Sequence, residues 1–380
     1  MKQLLYLCLT MLLIACSDGN DSGYEESQRA PLTLLPLHAE PDIAVGGAIV
    51  DSDGREVILR GVNVNAYAEY WKGTEYPTTF PFTEQDAEAI AGIGWNVVRL
   101  LLSWSLVEPA PGEYDDSYLD EIAAAVDTLK DYGIYTIIDL HQDAWGPTLA
   151  ARDDENCPTG WEPAFGWDGA PDWATLDGGA QRCTLNDTRE LSPAVRNAFG
   201  AFFRNEPAAD GTGIRTRYAQ MLGHIAERFA TEPAVAGYDL MNEPNAFNEE
   251  ESAGLSAMYG EALEEIRAGE QRAGGFAHLV LFEPSSLWVP LAQGPPDYFP
   301  YDSNVVYAPH IYTGGVNSGT LTEENFQTAR DEAALFGGAP VLTGEWGADP
   351  RRAEPEGDDY FLQHQAWQDQ FHFGAALWTW

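Results

Sequence analysis

From about residue 60 to the end of the chain, short apolar runs of strand length alternate with longer stretches whose apolar residues recur at helical spacing. Arg60-Gly61-Val62-Asn63 predicts a first strand, and residues 83–93 predict a helix with Thr83 and Asp86 as its capping pair. A strand over 96–101, an amphipathic helix over 118–132 stopped by Gly133, and a strand over 134–140 ending at His141 come next. A long loop is expected to about Pro193, then a helix over 214–229 leading into the strand that ends at Asn242-Glu243-Pro244. Beyond it the pattern predicts a helix over 250–268, strands over 278–282 and 304–308, a helix over 322–336 and a strand leading to Glu345. A helix near 360–371 and a strand over 375–378 finish the series. Such alternation is the signature of an α/β protein, and eight strands point to a (β/α)8 TIM barrel. A doubly wound open sheet is the competing topology, but no Gly-rich phosphate turn follows any of these strands.

The two ends carry different expectations. Residues 48–50 and 57–59 flank a turn at Asp51-Ser52-Asp53-Gly54 and predict a hairpin whose second arm runs into the first barrel strand. Trp380 comes just after the eighth strand, with no eighth helix. The barrel therefore reads as truncated after that strand, whose outer face should lie bare. At the other end, Lys2 followed by an apolar stretch too short to span a bilayer predicts a signal peptide over 1–15. Residues 16–45 are polar, acidic and punctuated by proline, which predicts a flexible tether ahead of a catalytic domain over 46–380.

Charge and cysteine narrow the setting. A formal net charge of −40 excludes nucleic acid as a partner, because phosphate binding needs clustered Lys and Arg. Hydrophobic residues at 44% are ample for a large core, and the chain is expected to act as a monomer. Cys157 and Cys183 both fall in the long Gly- and Pro-rich loop and predict a disulfide in an oxidising compartment. That loop offers too few further ligands for zinc, so no metal is expected.

Two stretches carry the candidate chemistry. Each is an apolar run that ends in a glutamate: Asn242-Glu243-Pro244 in one, Gly344-Glu345-Trp346-Gly347 in the other. Chemistry in parallel barrels collects at the C-terminal ends of strands, and two strand-terminal carboxylates suit glycoside hydrolysis by double displacement. The alternative is that both are solvated loop carboxylates in an acidic chain.

Further motifs give this pair a family. Val98-Arg99-Leu100, Leu102-Ser103-Trp104, Asp139-Leu140-His141-Gln142-Asp143 and Gly169-Ala170-Pro171-Asp172-Trp173-Ala174-Thr175 resemble the bacterial endoglycoceramidases of glycoside hydrolase family 5. Tyr238 to Pro244, Pro309-His310-Ile311-Tyr312 and Gly344 to Gly347 carry the same resemblance, which runs from about Arg60 to Trp378. It implies a retaining β-glycosidase, with Glu345 as nucleophile and Glu243 as acid/base, and needs no cofactor. Arg99 would keep Glu345 ionised, Asn242 would meet the sugar 2-hydroxyl, and Tyr312 would donate to the nucleophile. His141 and His310 would orient the sugar and the carboxylates, Asp143 would bind sugar hydroxyls, and Trp378 would floor the sugar ring.

The substrate implied is a carbohydrate or glycolipid, with a glycosphingolipid-type β-glucoside first. The family's ceramide-cleaving members carry a C-terminal β-sandwich, which has no counterpart before Trp380. The chain also departs from the pattern after its first strand, where Glu69 stands in place of the family's sugar-binding lysine and Lys72 lies out of register. That departure keeps steryl, aryl and β-glucan glucosides as rivals. An inactive lipid-anchored glycan-binding barrel is the remaining reading. Loop aromatics Tyr67, Trp71, Trp145, Trp161, Trp167 and Trp288 are candidates for packing on sugar or lipid. Finally, Leu13-Ile14-Ala15-Cys16 resembles the lipobox of bacterial lipoproteins. It implies lipidation of Cys16 and, with Ser17 beside it, anchoring to the outer membrane; an ordinary signal peptide with an incidental Cys16 is the alternative.

Overall fold

Strands whose every position is buried form the centre of the molecule, and one of them, VVRLLLS, carries an arginine in its middle. The computed structural model describes residues 33–68, 80–185, 188–286, 288, 294–312, 323–347 and 357–380. The expected signal peptide, Cys16, much of the tether, Glu69, Trp71 and Lys72 lie outside the described residues.

In chain order the strands are β1 (Leu37–Glu40), β2 (Ala48–Asp51), β3 (Arg60–Val64), β4 (Val97–Ser103), β5 (Tyr135–His141), β6 (Glu162–Pro163) and β7 (Cys183–Thr184). They continue with β8 (Val235–Asp239), β9 (Leu279–Phe282), β10 (Val305–Tyr307), β11 (Leu342–Trp346) and β12 (Gly374–Leu377). The helices are α1 (Glu84–Ile93), α2 (Trp104–Val107), α3 (Asp116–Asp131), α4 (Pro193–Phe203), α5 (Ile214–Phe229), α6 (Glu249–Arg272), α7 (Glu323–Ala333) and α8 (Gly357–Phe371).

Eight strands make one parallel sheet in the order β10-β9-β8-β5-β4-β3-β12-β11. Its two edges meet through a parallel bridge between Tyr307 and Val341, with Tyr307 N–H donating to Pro340 O at 2.9 Å. The sheet therefore curls into a barrel with one sparse seam, and the open doubly wound topology is excluded. Side-chain alternation decides what faces inward. Val98, Leu100 and Leu102 of β4 join the large cluster against the helices, whereas Val97 packs with Ile137, Leu279, Leu281, Val306 and Leu342 inside the barrel. Arg99 shares the parity of Val97, so its guanidinium points into the barrel toward the strand ends.

Three expectations need correction. The predicted hairpin across Asp51 to Gly54 is shorter than expected: it holds the bridge Val50–Glu56, with Asp51 N–H donating to Arg55 O at 2.9 Å and Val57 N–H to Ile49 O at 2.8 Å, and β2 also pairs antiparallel with β1. β1 in turn lies within the stretch predicted as tether. Leu37 and Ala39 are buried, and Ala39 N–H donates to Asn304 Oδ1 at 2.7 Å, so the domain begins before residue 46. Nor is β12 wholly bare: Ala375 and Ala376 are buried, but Ala375 itself lines a cavity of about 260 Å³ with Arg60, Trp95, Trp346, Gln365, Gln368 and Asp369. Helix α4, which the sequence reading does not predict, follows the long loop. Within that loop β6 pairs with β7, and Cys157 is bonded to Cys183 across a Cα separation of 5.7 Å.

Candidate active site

The C-terminal ends of the barrel strands carry a cluster of buried charged side chains with Arg99 at its centre. Arg99 has no exposed surface, and its guanidinium spends every edge on an acceptor. Nε reaches Asp239 Oδ2 at 2.9 Å, and Nη1 reaches Glu345 Oε1 at 3.0 Å and Asn63 Oδ1 at 3.1 Å. Nη2 meets Asn242 Oδ1 at 3.0 Å, Glu283 Oε1 at 3.1 Å and Asp139 Oδ1 at 2.9 Å. Burial alone would lower its pKa, but the surrounding carboxylates, Asp139 foremost, raise it well above the usual value.

Glu345 is the last residue but one of β11, and Gly344 precedes it. A Cβ on Gly344 would stand 2.9 Å from His310 Nε2, so the glycine lets the imidazole lie against the strand. Glu345 Oε2 accepts from the Tyr312 hydroxyl at 2.7 Å. Glu243 follows β8 at a positive φ of 42°, an uncommon conformation for a side chain of its size. Its backbone N–H donates to Glu283 Oε2 at 2.9 Å, and Gln142 Nε2 donates to the carbonyls of Asn242 at 2.7 Å and of Glu243 at 3.0 Å. The Glu243 side chain is 29% exposed against 7% for Glu345, so Glu243 is the more open to solvent of the two.

His310 links the carboxylates. Nδ1 lies 3.0 Å from Glu243 Oε1 and 3.7 Å from Glu345 Oε2, and Nε2 lies 3.1 Å from Glu283 Oε1. Burial would lower its pKa, yet Glu283, Glu345 and Glu243 together raise it well above the ordinary histidine value. Glu243 moves the other way. Burial raises its pKa, but the hydrogen bond and charge of His310 outweigh that and leave it lowered.

The second wall of the site carries His141, Asp143 and Trp378. His141 Nδ1 lies 2.7 Å from Asp139 Oδ2, and its ring stacks on Trp378 with centroids 5.4 Å apart. Burial lowers the His141 pKa and keeps the ring neutral, so Nδ1–H donates to Asp139 and Nε2 faces Asp143 Oδ2 at 3.9 Å. Asp143 is braced from the long loop by Arg189, whose Nη2 lies 3.7 Å from Oδ1 and whose guanidinium sits 3.4 Å over the Trp167 ring. Burial raises the Asp143 pKa well above the carboxylate range, against the opposing charge of Arg189.

Glu243, Glu345, Arg99, Asn242, His310 and Tyr312 thus share one hydrogen-bonded network, and His141, Asp143 and Trp378 adjoin it through Asp139. The aromatic candidates fare differently. Trp145 is buried among Trp104, Phe199 and Phe202 as a packing anchor, whereas Trp288, buried with Nε1 donating to Glu332 at 2.7 Å, also lines a small pocket beside Glu243, Glu283 and His310. Glu283 is the residue that sequence reasoning misses. A signal for it exists: Phe282-Glu283-Pro284 repeats the strand-Glu-Pro plan of Asn242-Glu243-Pro244.

Glu243, His310 and Glu345 offer ligand atoms all within 4.8 Å of one another, a spacing a metal ion could bridge. The same atoms already serve hydrogen bonds to Tyr312, Arg99 and each other, and the Arg99 cation beside them opposes a second positive charge. What the geometry provides is a pair of facing carboxylates, one tightly held and one partly open, with a histidine between them.

A parallel barrel with such a pair at its strand ends defines a barrel glycoside hydrolase. The chain matches the cellulase family, glycosyl hydrolase family 5, over residues 50–380 and belongs to that family. It is 27% identical to endoglycoceramidase I of Rhodococcus hoagii (strain 103S) over 369 residues, which cover 88% of this chain and 68% of the relative. Among solved structures it resembles an endogalactoceramidase, with 40% identity, a TM-score of 0.81, and coverage of 91% of this chain and 75% of that one. It also resembles the lactosyl-enzyme intermediate of endo-glycoceramidase II from a Rhodococcus species, at 29% identity and a TM-score of 0.70, covering 87% and 74%.

Proposed function

We propose that this hydrolase is a retaining β-glycosidase that cuts glycosphingolipids between glycan and ceramide. Glu345 is the nucleophile and Glu243 the acid/base. The observation that carries the reading is the approach of the two glutamates, one oxygen of each lying within 4.8 Å of the other. Retaining pairs stand roughly 5–5.5 Å apart, whereas inverting pairs leave roughly 6.5–9.5 Å for a water.

The division of roles follows from the surroundings. Arg99 and Tyr312 donate one hydrogen bond to each oxygen of Glu345, which fixes the carboxylate and aims it at the anomeric carbon. The partly exposed Glu243 can reach a leaving oxygen and then an incoming water. As the glycosyl ester forms, Glu243 protonates the departing oxygen. In the second step it takes the proton of the water that attacks the ester. Asn242, its carbonyl held by Arg99 and one amide proton given to Gln142 O at 3.1 Å, presents the other to the sugar 2-hydroxyl. His141 and Asp143 bind further hydroxyls, and Trp378, held against His141, floors the ring.

The glycosphingolipid assignment draws on the endoglycoceramidase and endogalactoceramidase relatives. Export and lipid anchoring at Cys16 draw on the lipobox-like sequence and on a disulfide suited to an oxidising compartment. Incubating the full chain with lactosylceramide and with gangliosides tests the substrate: intact glycan and free ceramide are the expected products. Release of single sugars, or turnover of aryl and steryl glucosides alone, would contradict it.

A further inference from the structure

The resting charge pattern leaves the acid/base residue without its proton. His310 holds Glu243 toward the anion, yet the first step needs a proton at Glu243. The groups that could deliver one are in line. Glu243 Oε1 contacts His310 Nδ1 at 3.0 Å, and His310 Nε2 contacts Glu283 Oε1 at 3.1 Å. Glu283 closes the loop, since its other oxygen accepts the Glu243 backbone N–H at 2.9 Å. All three sit on separate strand ends, after β8, β9 and β10, so the path is fixed by the barrel itself.

Taking Glu243 as the acid/base, we propose that Glu283 is the proton store of the reaction and passes its proton to Glu243 through His310. In the transfer, His310 Nδ1–H goes to Glu243 Oε1 while the Glu283 carboxyl hydrogen goes to Nε2. The proton between Glu283 Oε1 and His310 Nε2 belongs to the pair, as acid and imidazole or as carboxylate and imidazolium. Once Nδ1–H has gone to Glu243 it stays on Nε2, leaving a Glu243 acid, a neutral imidazole and a Glu283 carboxylate. The water proton taken by Glu243 in the second step returns along the same path and restores the store.

Arg99 makes the transfer fit the chemistry. It contacts both Glu345 at 3.0 Å and Glu283 at 3.1 Å. When Glu345 gives up its charge to the glycosyl ester, Arg99 loses an anionic partner, and the newly formed Glu283 carboxylate replaces it. The charge facing the guanidinium stays balanced through the step.

Other groups around the path favour a stored proton. Asp139 from β5, Asp239 from β8 and Glu345 from β11 face the pair with negative charge, and Arg99 from β4 answers them. Tyr259 from α6 donates its hydroxyl to the Glu283 backbone carbonyl at 2.9 Å, and Tyr218 from α5 and Tyr307 from β10 stand nearby as neutral phenols. Burial pushes the Glu283 carboxyl up to about 8, so a proton is present at neutral pH. Glu283 touches no reacting atom and is a positioning residue in this scheme.

The test compares two β-lactosides on the full chain, one with a dinitrophenyl leaving group that departs without protonation and one with an octyl group that needs it. Glu283→Gln should lower the octyl-to-dinitrophenyl ratio of kcat/KM about 100-fold, the lower end of a general-acid contribution. It should also move the alkaline limb of the octyl profile to lower pH, because the reaction then depends on the proton of Glu243 alone, which His310 holds toward the anion. An equal loss on both substrates with an unmoved limb would overturn the proposal and leave Glu283 a purely structural residue. If that variant does not fold, the unaltered enzyme decides: the octyl profile should fall near pH 8, and a fall near 5, the range of an ordinary glutamic acid, would overturn the proposal. Glu243→Ala, assayed with azide on the dinitrophenyl substrate, checks the acid/base assignment separately. Absence of rescue there would remove that assignment, whereas rescue with an unselective Glu283→Gln would remove only the proton store.

Discussion

Arg99 Nη1 donates to Glu345 Oε1 at 3.0 Å from a side chain with no exposed surface. The strand-terminal glutamate thus meets a fixed cation inside the barrel. Because the guanidinium is planar and also serves Asp139, Asp239 and Glu283, it sets the relative positions of groups from several strands at once.

Replacing it should separate charge from geometry. Arg99→Lys keeps the charge but cannot fork to four carboxylates, and kcat should fall at least about 100-fold through misplacement of Glu345. Arg99→Met leaves the carboxylates unpaired and should cost about 3–5 kcal/mol of stability. Urea unfolding and initial rates on an aryl lactoside check both.

Tyr312→Phe removes one hydrogen bond to Glu345 Oε2, 2.7 Å in length, and nothing else from the network. A bond to a charged acceptor contributes roughly 1.5–3 kcal/mol, so kcat/KM should drop about 10–100-fold. The melting temperature should stay close to that of the unaltered enzyme, as a thermal scan would show.

How the two glutamates divide the chemistry is open to direct substitution. Glu345→Gln should abolish turnover of every substrate, because the covalent step is lost. Glu243→Ala should retain activity on substrates with very good leaving groups, and azide should raise it by replacing the water that needs a base. The reverse pattern would exchange the two roles.

Much of this site is legible in the sequence because strand ends and their polar residues are adjacent along the chain. Glu243, Glu345, His141 and His310 each follow an apolar run, and helix α5 is predicted over its observed span, Ile214–Phe229. Elements set by distant partners are less visible. β1 pairs with β2 through a register that no local pattern announces. Helix α4 has Ala194, Val195, Ala198, Phe199, Ala201, Phe202 and Phe203 all buried, so it shows little of the polar face by which a surface helix is recognised. Glu283 becomes meaningful only once the barrel sets it beside Arg99 and His310.

Breaking the loop disulfide with Cys157→Ser should cost about 3.5 kcal/mol by loop entropy for a separation of 26 residues. The loop also carries Arg189, which braces Asp143. Loosening it should raise KM more than it lowers kcat, and steady-state kinetics beside denaturant unfolding would show the split.

His364 supplies a pH signature. It is fully buried, with Nε2–H donating to Ile311 O at 3.2 Å and Nδ1 accepting from Gln368 at 2.7 Å, and burial pushes its pKa down to about 3. A base with a depressed pKa stabilises the fold above its unfolded value near 6.5, and that contribution fades as pH falls toward 3. The stability advantage of the unaltered enzyme over His364→Gln should therefore be full above pH 6.5 and shrink below it. A constant difference in melting temperature across that window would contradict the assignment.

Retention at the anomeric centre depends on Glu243 and Glu345 acting as a close pair, and proton NMR of the first product reads it directly. Hydrolysis of an aryl β-lactoside should show the β-anomer first, with the α-anomer growing only as the sugar equilibrates. Immediate appearance of the α-anomer would mean inversion by a single displacement, and neither glutamate could then hold the role given to it.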